Sequence, residues 1–355
     1  MNFRRIATAL AAVLMLALAA VPRALAQVAT GAVEGVARNA QDGTPLTFML
    51  VHVMPTTARP GAAQRVLTDA EGRFRAEGVP AGEYRLQVEQ IGFERTLSPA
   101  LKVEAGATAR QEIRSAMVPI QLEGLTVRAG GGCLTGDQLS QDPALATVWN
   151  EARKGVETRR AFDLQYRFMA TVRQEGTARY RLKGPSPILR VDTIRSEPDS
   201  VLVRETRRRA VLAANGYGSQ RRGLALRLPN EKELMDEEFL RAHCLETGID
   251  RGEGTLALRF RPVQRQNGMS IRGALWVDAA TYQIRRLEVE HLQGERSLAQ
   301  TSVDYRDIPV GDGRMRLPAS GKVEGRPSGV VSAIITAVAA TLTYTYQGFE
   351  RVRAR

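Results

Sequence analysis

Apolar and polar residues alternate in short runs through the first third of the chain. Along residues 49–53 and 84–88 every second side chain is large and apolar, which places one face of each segment against a core. Turn-forming residues separate such runs at 41–43, 69–72 and 80–82. Short strands at this spacing predict a β-sandwich, for which we expect the bounds 27–128.

Two of these turns have a defined local chemistry. The Asp69 carboxylate can accept backbone N–H groups while Gly72 takes a positive φ, and Gly78 and Gly82 bracket a second turn that Pro80 stiffens. Because such hydrogen bonds account for a turn aspartate, we interpret these residues as structural and not as an active site.

The pattern changes after a Gly-rich linker at residues 129–135. Asp142 precedes Pro143, and apolar residues then recur at helical spacing, which predicts a helix with Asp142 as its N-cap. A second helix is expected over Glu231–His243. The remaining segments predicted as strands are Leu164–Val172, Ser200–Leu212, Gly254–Phe260, Ser270–Val277, Tyr282–Val289, Ala299–Tyr305 and Thr341–Phe349.

One hairpin in this second region predicts the shape of the sheet. Residues 278–281 form its turn, and the apolar phase then slips by one residue, which indicates a bulge at Arg285–Arg286 and a bent sheet. We therefore expect residues 136–355 to form a larger curved antiparallel sheet with one or two helices, so that the whole protein is mainly β.

The first 26 residues have the organisation of a secretory signal peptide. Arg4 and Arg5 precede an apolar run over 6–20, and the small-residue site 24–26 follows. This run is shorter than the roughly 20 residues that a membrane-spanning helix needs. We expect cleavage after Ala26 and export to the periplasm or the outer-membrane periphery, with an uncleaved anchor as the alternative.

Positive charge is concentrated in the second region. The chain has a formal charge of +12, and removal of residues 1–26 lowers it to +9. Residues 27–128 hold 11 basic and 11 acidic side chains, so the whole excess lies beyond them. In an exported protein, such a surface would meet anionic lipid or acidic polymers and not nucleic acid, with peripheral membrane contact as one consequence. A soluble basic surface without a partner is the alternative.

Three arginines are candidates for an anion-binding patch. If Ser200–Leu212 is a strand, Arg207 and Arg209 share one face, and a hairpin near residues 215–216 would bring Arg222 beside them. Solvated arginines are the alternative interpretation.

Two cysteines, Cys133 and Cys244, remain after export. In an oxidising compartment an even pair predicts one disulfide, here closing a long loop inside the second domain. Free thiols or a two-cysteine metal site are the alternatives.

Four blocks of the first region resemble the carboxypeptidase regulatory-like domain, whose fold is a transthyretin-like or carbohydrate-binding-like sandwich of about seven strands. The order and spacing match in Asp42–Leu46, Thr68–Phe74, Gly78–Leu86 and Ile91–Phe93. The resemblance implies a module for placement or binding, and not the hydrolytic part of a carboxypeptidase. The run Gly273–Leu287 is loosely similar to the half-barrel of periplasmic lipoprotein carriers, which would imply an apolar pocket on a curved sheet.

Motifs for catalysis are sparse. His243 and Glu246 have the His-x-x-Glu spacing of zinc carboxypeptidases, but Cys244 between them is expected to be bridged. His291 would complete a metal site only through the fold. There is no Gly-x-Ser-x-Gly motif and no phosphate-binding loop.

We therefore predict a non-catalytic binding or scaffold protein of the cell envelope that uses no cofactor or metal. The partners that fit this prediction are an envelope glycan, an anionic lipid or an outer-membrane protein. A lipid or lipoprotein carrier is the first alternative, and a zinc metallopeptidase is the second.

Overall fold

The computed structural model describes residues 29–58, 63–118, 132–219, 225–246, 250–252, 254–263, 269–325 and 335–352. The predicted signal peptide lies outside the described residues, as do positions 129–131 of the predicted linker. None of the described helices combines the length and the apolar character needed to cross a membrane.

The first region is a sandwich of two small sheets. Its strands are β1 Thr30–Asn39, β2 Leu50–Pro55, β3 Gln64–Leu67, β4 Arg73–Pro80, β5 Gly82–Glu89, β6 Thr96–Leu97, β7 Leu101–Val103 and β8 Thr108–Ser115. One sheet has the order β4-β1-β8, with β1 and β8 parallel, and the other has the order β3-β2-β5-β6, with β7 also on β5. The side chains that alternate inward, among them Val51, Val53, Tyr84, Leu86 and Val88, fill the space between them. The predicted sandwich is confirmed.

The second region is built on one large sheet. Its helices are a short 3₁₀ helix Gly136–Gln141, α1 Pro143–Gln165, α2 Pro198–Asn215, α3 Glu231–Leu234 and α4 Glu237–Ala242. Its strands are β9 Cys133–Leu134, β10 Tyr166–Tyr180, β11 Gly184–Ser196, β12 Gly218–Ser219, β13 Ala225–Leu226, β14 His243–Glu246, β15 Asp250–Gly252, β16 Thr255–Pro262, β17 Met269–Asp278, β18 Ile284–Gln293, β19 Arg296–Val310, β20 Gly313–Gly325 and β21 Ile335–Arg351.

Eleven of these strands form one antiparallel sheet. Its order is β11-β10-β21-β20-β19-β18-β17-β16-β14-β9, with β15 beside β16, while β12 and β13 form a separate ribbon. Helix α1 lies across one face and buries Leu145, Val148 and Trp149 against sheet residues that include Leu258 and Leu275. The predicted mainly β architecture with a large antiparallel sheet is confirmed.

Local predictions in this region had mixed outcomes. Asp142 caps α1 as expected, because its Oδ1 accepts the Leu145 N–H at 3.0 Å and Pro143 occupies the first turn. The bulge is also confirmed: Trp276 pairs with Arg286 and Val277 with Ile284, which leaves Arg285 as the extra residue.

The strand predicted over Ser200–Leu212 is wrong, because Pro198–Asn215 is the helix α2. Valines and a threonine suggested a strand, but Pro198–Asn215 also holds four Arg and three Ala, which favour a helix. Pro198 opens the helix, and Gly216 with φ 59° follows its end.

Two other boundaries differ from prediction. The helix expected over Glu231–His243 is broken into α3 and α4 at Met235 and Asp236, since Asp236 is extended and starts the second turn of helix as its N-cap. The strand expected from Leu164 begins only at Tyr166, because α1 continues to Gln165.

The two regions share a third apolar core. Phe48, Leu50 and Leu67 of the sandwich pack against Phe162 and Tyr166 at the end of α1. The rings of Phe162 and Tyr166 stack at 4.5 Å, and Phe48 meets both edge-on at 6.2 and 6.1 Å. This aromatic cluster, defined by Phe48, Phe162 and Tyr166, fixes the sandwich to the end of α1.

Candidate functional site

The cysteine pair lies at the edge of the large sheet. Cys133 of β9 and Cys244 of β14 form a disulfide with 5.4 Å between their Cα atoms, across a sequence separation of 111 residues. The bond attaches the chain that enters the second region to the strand that follows α4, and it leaves no free cysteine in the described residues.

The predicted turn residues serve the backbone. Asp69 Oδ1 accepts the N–H groups of Glu71 at 3.1 Å and Arg73 at 2.7 Å, and Gly72 has φ 74°. Gly78 also has a positive φ, and the Pro80 carbonyl accepts the Tyr84 hydroxyl at 2.7 Å. Gly78 and Pro80 lie in the last three residues of β4 and Gly82 begins β5, so the reversal is tighter than predicted, with only Ala81 between the two strands.

The pair of strands on which the arginine patch was predicted does not form in the structure. Arg207 is an exposed side chain of the helix α2, the side chain of Arg209 is not described, and Arg222 lies outside the described residues. Because the hairpin on which the patch depended is replaced by a helix, the reason for placing these three side chains on one face no longer holds.

The histidines of the second region are buried among apolar groups. The His243 ring stacks on Phe239 at 4.1 Å, and burial lowers its pKa to about 4. Glu246 is half-exposed and lies 3.6 Å from Arg261. Within the described ranges, no three His, Cys, Asp or Glu side chains converge as a metal site would require.

The inner face of the large sheet is filled. Side chains of α1 and the short helices α3 and α4 pack on Leu258, Phe260, Leu275 and Leu287 to form one core. The open apolar trough that would have favoured a lipid carrier is therefore occupied by the protein's own side chains along this part of the sheet.

Charged side chains on the outer face of the sheet are paired with one another. Arg272 lies 2.5 Å from Glu290, and Arg286 lies 2.6 Å from Asp304. The Trp276 indole N–H donates to Glu288 at 2.9 Å. These side chains satisfy each other's hydrogen-bonding groups.

A cleft between the sandwich and the second region has a different character. It encloses about 650 Å³ and is lined by residues 47–48 and 90–93 of the sandwich, by α1 between 152 and 159, and by the strand ends 280–284 and 312–316. We call this space the interdomain cleft. Its volume lies within the range of small-molecule sites.

One wall of the interdomain cleft is clamped to α1. The Lys154 ammonium donates to the Phe93 carbonyl at 3.0 Å and to Glu151 at 2.6 Å, and the other Glu151 oxygen accepts the Gly92 N–H at 3.1 Å. Gly155 faces Ile91 so closely that a Cβ there would lie 2.9 Å from the Ile91 Cδ1. The loop 91–93 is thereby held against the helix.

Backbone strain is found at the same place. Among the described residues, Phe48 with φ 53° and Tyr282 with φ 52° are the non-glycine positions in the left-handed region. Phe48 lines the cleft, and both neighbours of Tyr282 line it on the opposite side. Bulky residues rarely adopt this conformation, and strained positions of this kind cluster at ligand sites.

Two buried polar atoms at this cleft have no hydrogen-bond partner within the described part of the chain: Gln90 Oε1 and Arg159 Nη1. The Gln90 amide nitrogen donates to the Thr47 carbonyl at 3.3 Å, which leaves its oxygen as the unpaired atom. Arg159 Nε donates to Asp163 at 3.0 Å, which leaves Nη1 as an unpaired donor. One acceptor and one donor, from the two walls of one cavity, are therefore unsatisfied.

Arg159 belongs to a network of charged side chains that also includes Asp163, Lys232 and Glu205. Asp163 also accepts from Lys232 at 2.9 Å, and Lys232 reaches Glu205 at 2.7 Å. Burial alone would raise the pKa of Asp163, but the positive charges of Arg159 and Lys232 outweigh it and hold that pKa below its ordinary value. For Arg159 burial would lower the pKa, but Asp163 and Glu231 outweigh it, so the guanidinium stays charged.

Tyr305 and Arg316 also line the interdomain cleft and contribute further polar groups. The Tyr305 hydroxyl donates to Glu231 at 2.8 Å, and burial together with that carboxylate raises the pKa of Tyr305 well above its ordinary value. Arg316 makes a two-pronged contact with Asp307, at 2.8 Å to each oxygen. Acids and bases are thus balanced around a partly apolar cavity.

Comparison with known proteins gives a family for the sandwich. The model of the carboxypeptidase regulatory-like domain matches residues 32–116. Residues 32–116 are a carboxypeptidase regulatory-like domain. A search of curated proteins found no match to the chain.

Solved structures resemble parts of the chain only distantly. A minor pilin of Streptococcus agalactiae has 20% identity and a TM-score of 0.21, over 26% of this chain and 47% of its own. A proposed carbohydrate-binding protein of Bacteroides uniformis has 16% identity and a TM-score of 0.21, over 29% and 49%. A DUF3823 family protein of Parabacteroides merdae has 8% identity and a TM-score of 0.20, over 49% and 84%. The chain spans about half the length of the first two.

The regulatory-like domain contributes the unpaired acceptor and the strained Phe48 to the interdomain cleft. Sequence reasoning missed both, and it missed Arg159, which lies on a helix that was predicted. A glutamine after a strand and an arginine in a basic helix have no motif that marks them. Gln90-Ile91-Gly92-Phe93 is part of the matched segment, so its loop was the one signal available.

Proposed function

We propose that this chain is an exported, non-catalytic binding protein of the cell envelope, and that it holds a glycan segment in the interdomain cleft. The observation that carries the proposal is the pair of unsatisfied buried atoms in the lining of that cleft, Gln90 Oε1 from the sandwich and Arg159 Nη1 from α1. A sugar hydroxyl both donates and accepts a hydrogen bond, so one ring can satisfy the acceptor and the donor together.

The remaining lining favours a neutral polyhydroxylated ligand. Phe48, Ile91 and Phe93 give apolar surface for the C–H face of a sugar ring, and charged side chains of both signs line the cavity. A simple anion would leave Gln90 Oε1 unpaired. A simple acyl chain would leave both atoms unpaired, at a cost of about 1–3 kcal/mol each.

The disulfide supports export, since such bonds persist in oxidising compartments. The regulatory-like domain supports a binding role, because the resemblance to that family implies a module for placement or binding. The basic second region would then face the anionic polymers of an envelope.

Isothermal titration calorimetry with a soluble peptidoglycan disaccharide tests this proposal, with decanoate as an acyl probe. We expect the disaccharide to bind, and Gln90→Leu and Arg159→Met each to weaken that binding about tenfold or more. Arg153→Met, on the same helix but outside the cleft, is the matched control and should leave affinity unchanged.

Thermal melts of all three variants show whether each remains folded. Binding of decanoate in place of the disaccharide, or equal disaccharide affinity in all three variants, would overturn the proposal.

A further inference from the structure

The strand β11 forms one edge of the large sheet. It pairs with β10 over its full length, and within the described residues nothing pairs with its other side. Its exposed apolar side chains are Leu189 at 66%, Val191 at 53% and Ile194 at 49%. A long edge of this kind is a template for another strand.

Both ends of this edge are blocked. Pro185 and Pro187 have no N–H to give to a neighbouring strand at the start of β11. At the other end, the Arg195 carbonyl already accepts the guanidinium of Arg204 at 3.0 Å. The part left for pairing is Ile188–Ile194, seven residues centred on Val191.

This segment is complementary to itself when two copies run antiparallel. With Val191 opposite its own copy, Arg190 faces Asp192 of the second copy, and Ile188 faces Ile194, each pair occurring twice by symmetry. Within one protomer, Arg190 and Asp192 already form a 2.6 Å ion pair, and both side chains are at least half exposed. Each can therefore exchange its partner for the oppositely charged residue of a second copy.

Neighbouring registers are disfavoured by the same residues. Centring the pair on Arg190 places two guanidinium groups opposite each other, and centring it on Asp192 does the same with two carboxylates. Like charges directly opposite are destabilising in a sheet. In the Val191 register, moreover, Pro187 meets Arg195, so the missing donor faces the carbonyl that is already occupied.

We infer that two copies of this chain associate through antiparallel pairing of Ile188–Ile194, and that the two large sheets become continuous across a two-fold axis at Val191. The interface lies on the sheet edge and does not use the interdomain cleft. The inference is therefore independent of the proposed function.

Sedimentation velocity of the purified protein at about 1 to 100 µM tests this inference. We expect a dimer whose dissociation constant rises at least about tenfold in Arg190→Asp and in Asp192→Arg, because each change places like charges opposite each other twice. The double variant Arg190→Asp with Asp192→Arg restores opposite charges and should restore the dimer.

Circular dichroism melts show that the single variants stay folded, since this exposed ion pair contributes little to stability. A monomer over the whole concentration range would overturn the inference. So would a dimer unaffected by either single charge reversal, or one that the double variant fails to recover.

Discussion

Two neighbouring positions near the C-terminal end of α1 contact the sandwich in different ways: one is packed, and the other lines a cavity. At its C-terminal end, α1 meets the sandwich through Phe162, which stacks on Tyr166 at the start of β10, and both rings pack on Phe48. Less than one turn earlier, Arg159 lines a cavity, and its Nη1 has no acceptor among the described residues. Apolar packing therefore fixes the two domains, and this allows the neighbouring cleft to leave polar atoms unsatisfied at a cost that the rest of the contact offsets.

The aromatic cluster should give the largest mutational effect. Phe162 is fully buried and contacts Phe48, Tyr166, Phe168 and Phe349. Phe162→Ala should lower the free energy of unfolding by about 3–5 kcal/mol, because it removes a buried ring and leaves a cavity. Urea unfolding monitored by circular dichroism measures this.

The way in which that variant unfolds also matters. If the cluster couples the domains, Phe162→Ala should broaden the transition or split it into two steps. A single transition with an unchanged midpoint would show that the cluster does not hold the domains together.

The two domains should lose stability in different pH ranges, because different titratable groups are buried in each. In the second region, His243 is neutral in the fold with its pKa lowered to about 4, whereas the unfolded chain takes up a proton near pH 6.5. Stability should therefore fall as the pH drops from 6.5 to 4, by about 3 kcal/mol. His291 shifts in the same direction through burial.

The regulatory-like domain should respond in a lower pH window. Burial would raise the pKa of Glu89, but His52 and Arg95 outweigh it and bring that pKa to about 2. Its contribution is present above pH 4.5 and is lost as the pH falls toward 2, again by about 3 kcal/mol.

Two variants distinguish these windows. His243→Phe should flatten the pH dependence of stability between 6.5 and 4, and Glu89→Gln should flatten it only below 4.5. Chemical unfolding at a series of pH values gives both slopes. Identical slopes in the wild type and in His243→Phe would contradict the assignment to that ring.

The fold of each region was accessible from the sequence to a different degree. In the first region, turn residues fix each reversal locally, as Asp69 and Gly72 do, so the strands between them follow from alternation. In the second region, Ser200–Leu212 satisfied both strand and helix preferences, and its packing beside α1 was not visible from periodicity.

The candidate site was less accessible still. Gln90 and Arg159 are 69 positions apart in the sequence, and they line one cleft in a fold where Lys154 and Glu151 bind the loop 91–93 to α1. The edge strand β11 was not predicted either, since its run from Ile188 to Ile194 is interrupted by charged residues on one face and threonine on the other. Pairings between distant segments determine both surfaces, and short-range patterns do not encode them.

The smallest expected effect tests whether charge contributes to the contact that the aromatic rings dominate. Arg65 of the sandwich lies 2.9 Å from Glu157 of α1, but its side chain is 52% exposed. Arg65→Met should change the free energy of unfolding by less than about 1 kcal/mol, because an exposed ion pair gains little over solvation and salt screens it. Urea unfolding at low and high salt measures this, with Phe162→Ala as the reference for a true interface loss. A change above about 2 kcal/mol that disappears at high salt would mean that electrostatics, and not ring packing, holds the domains together.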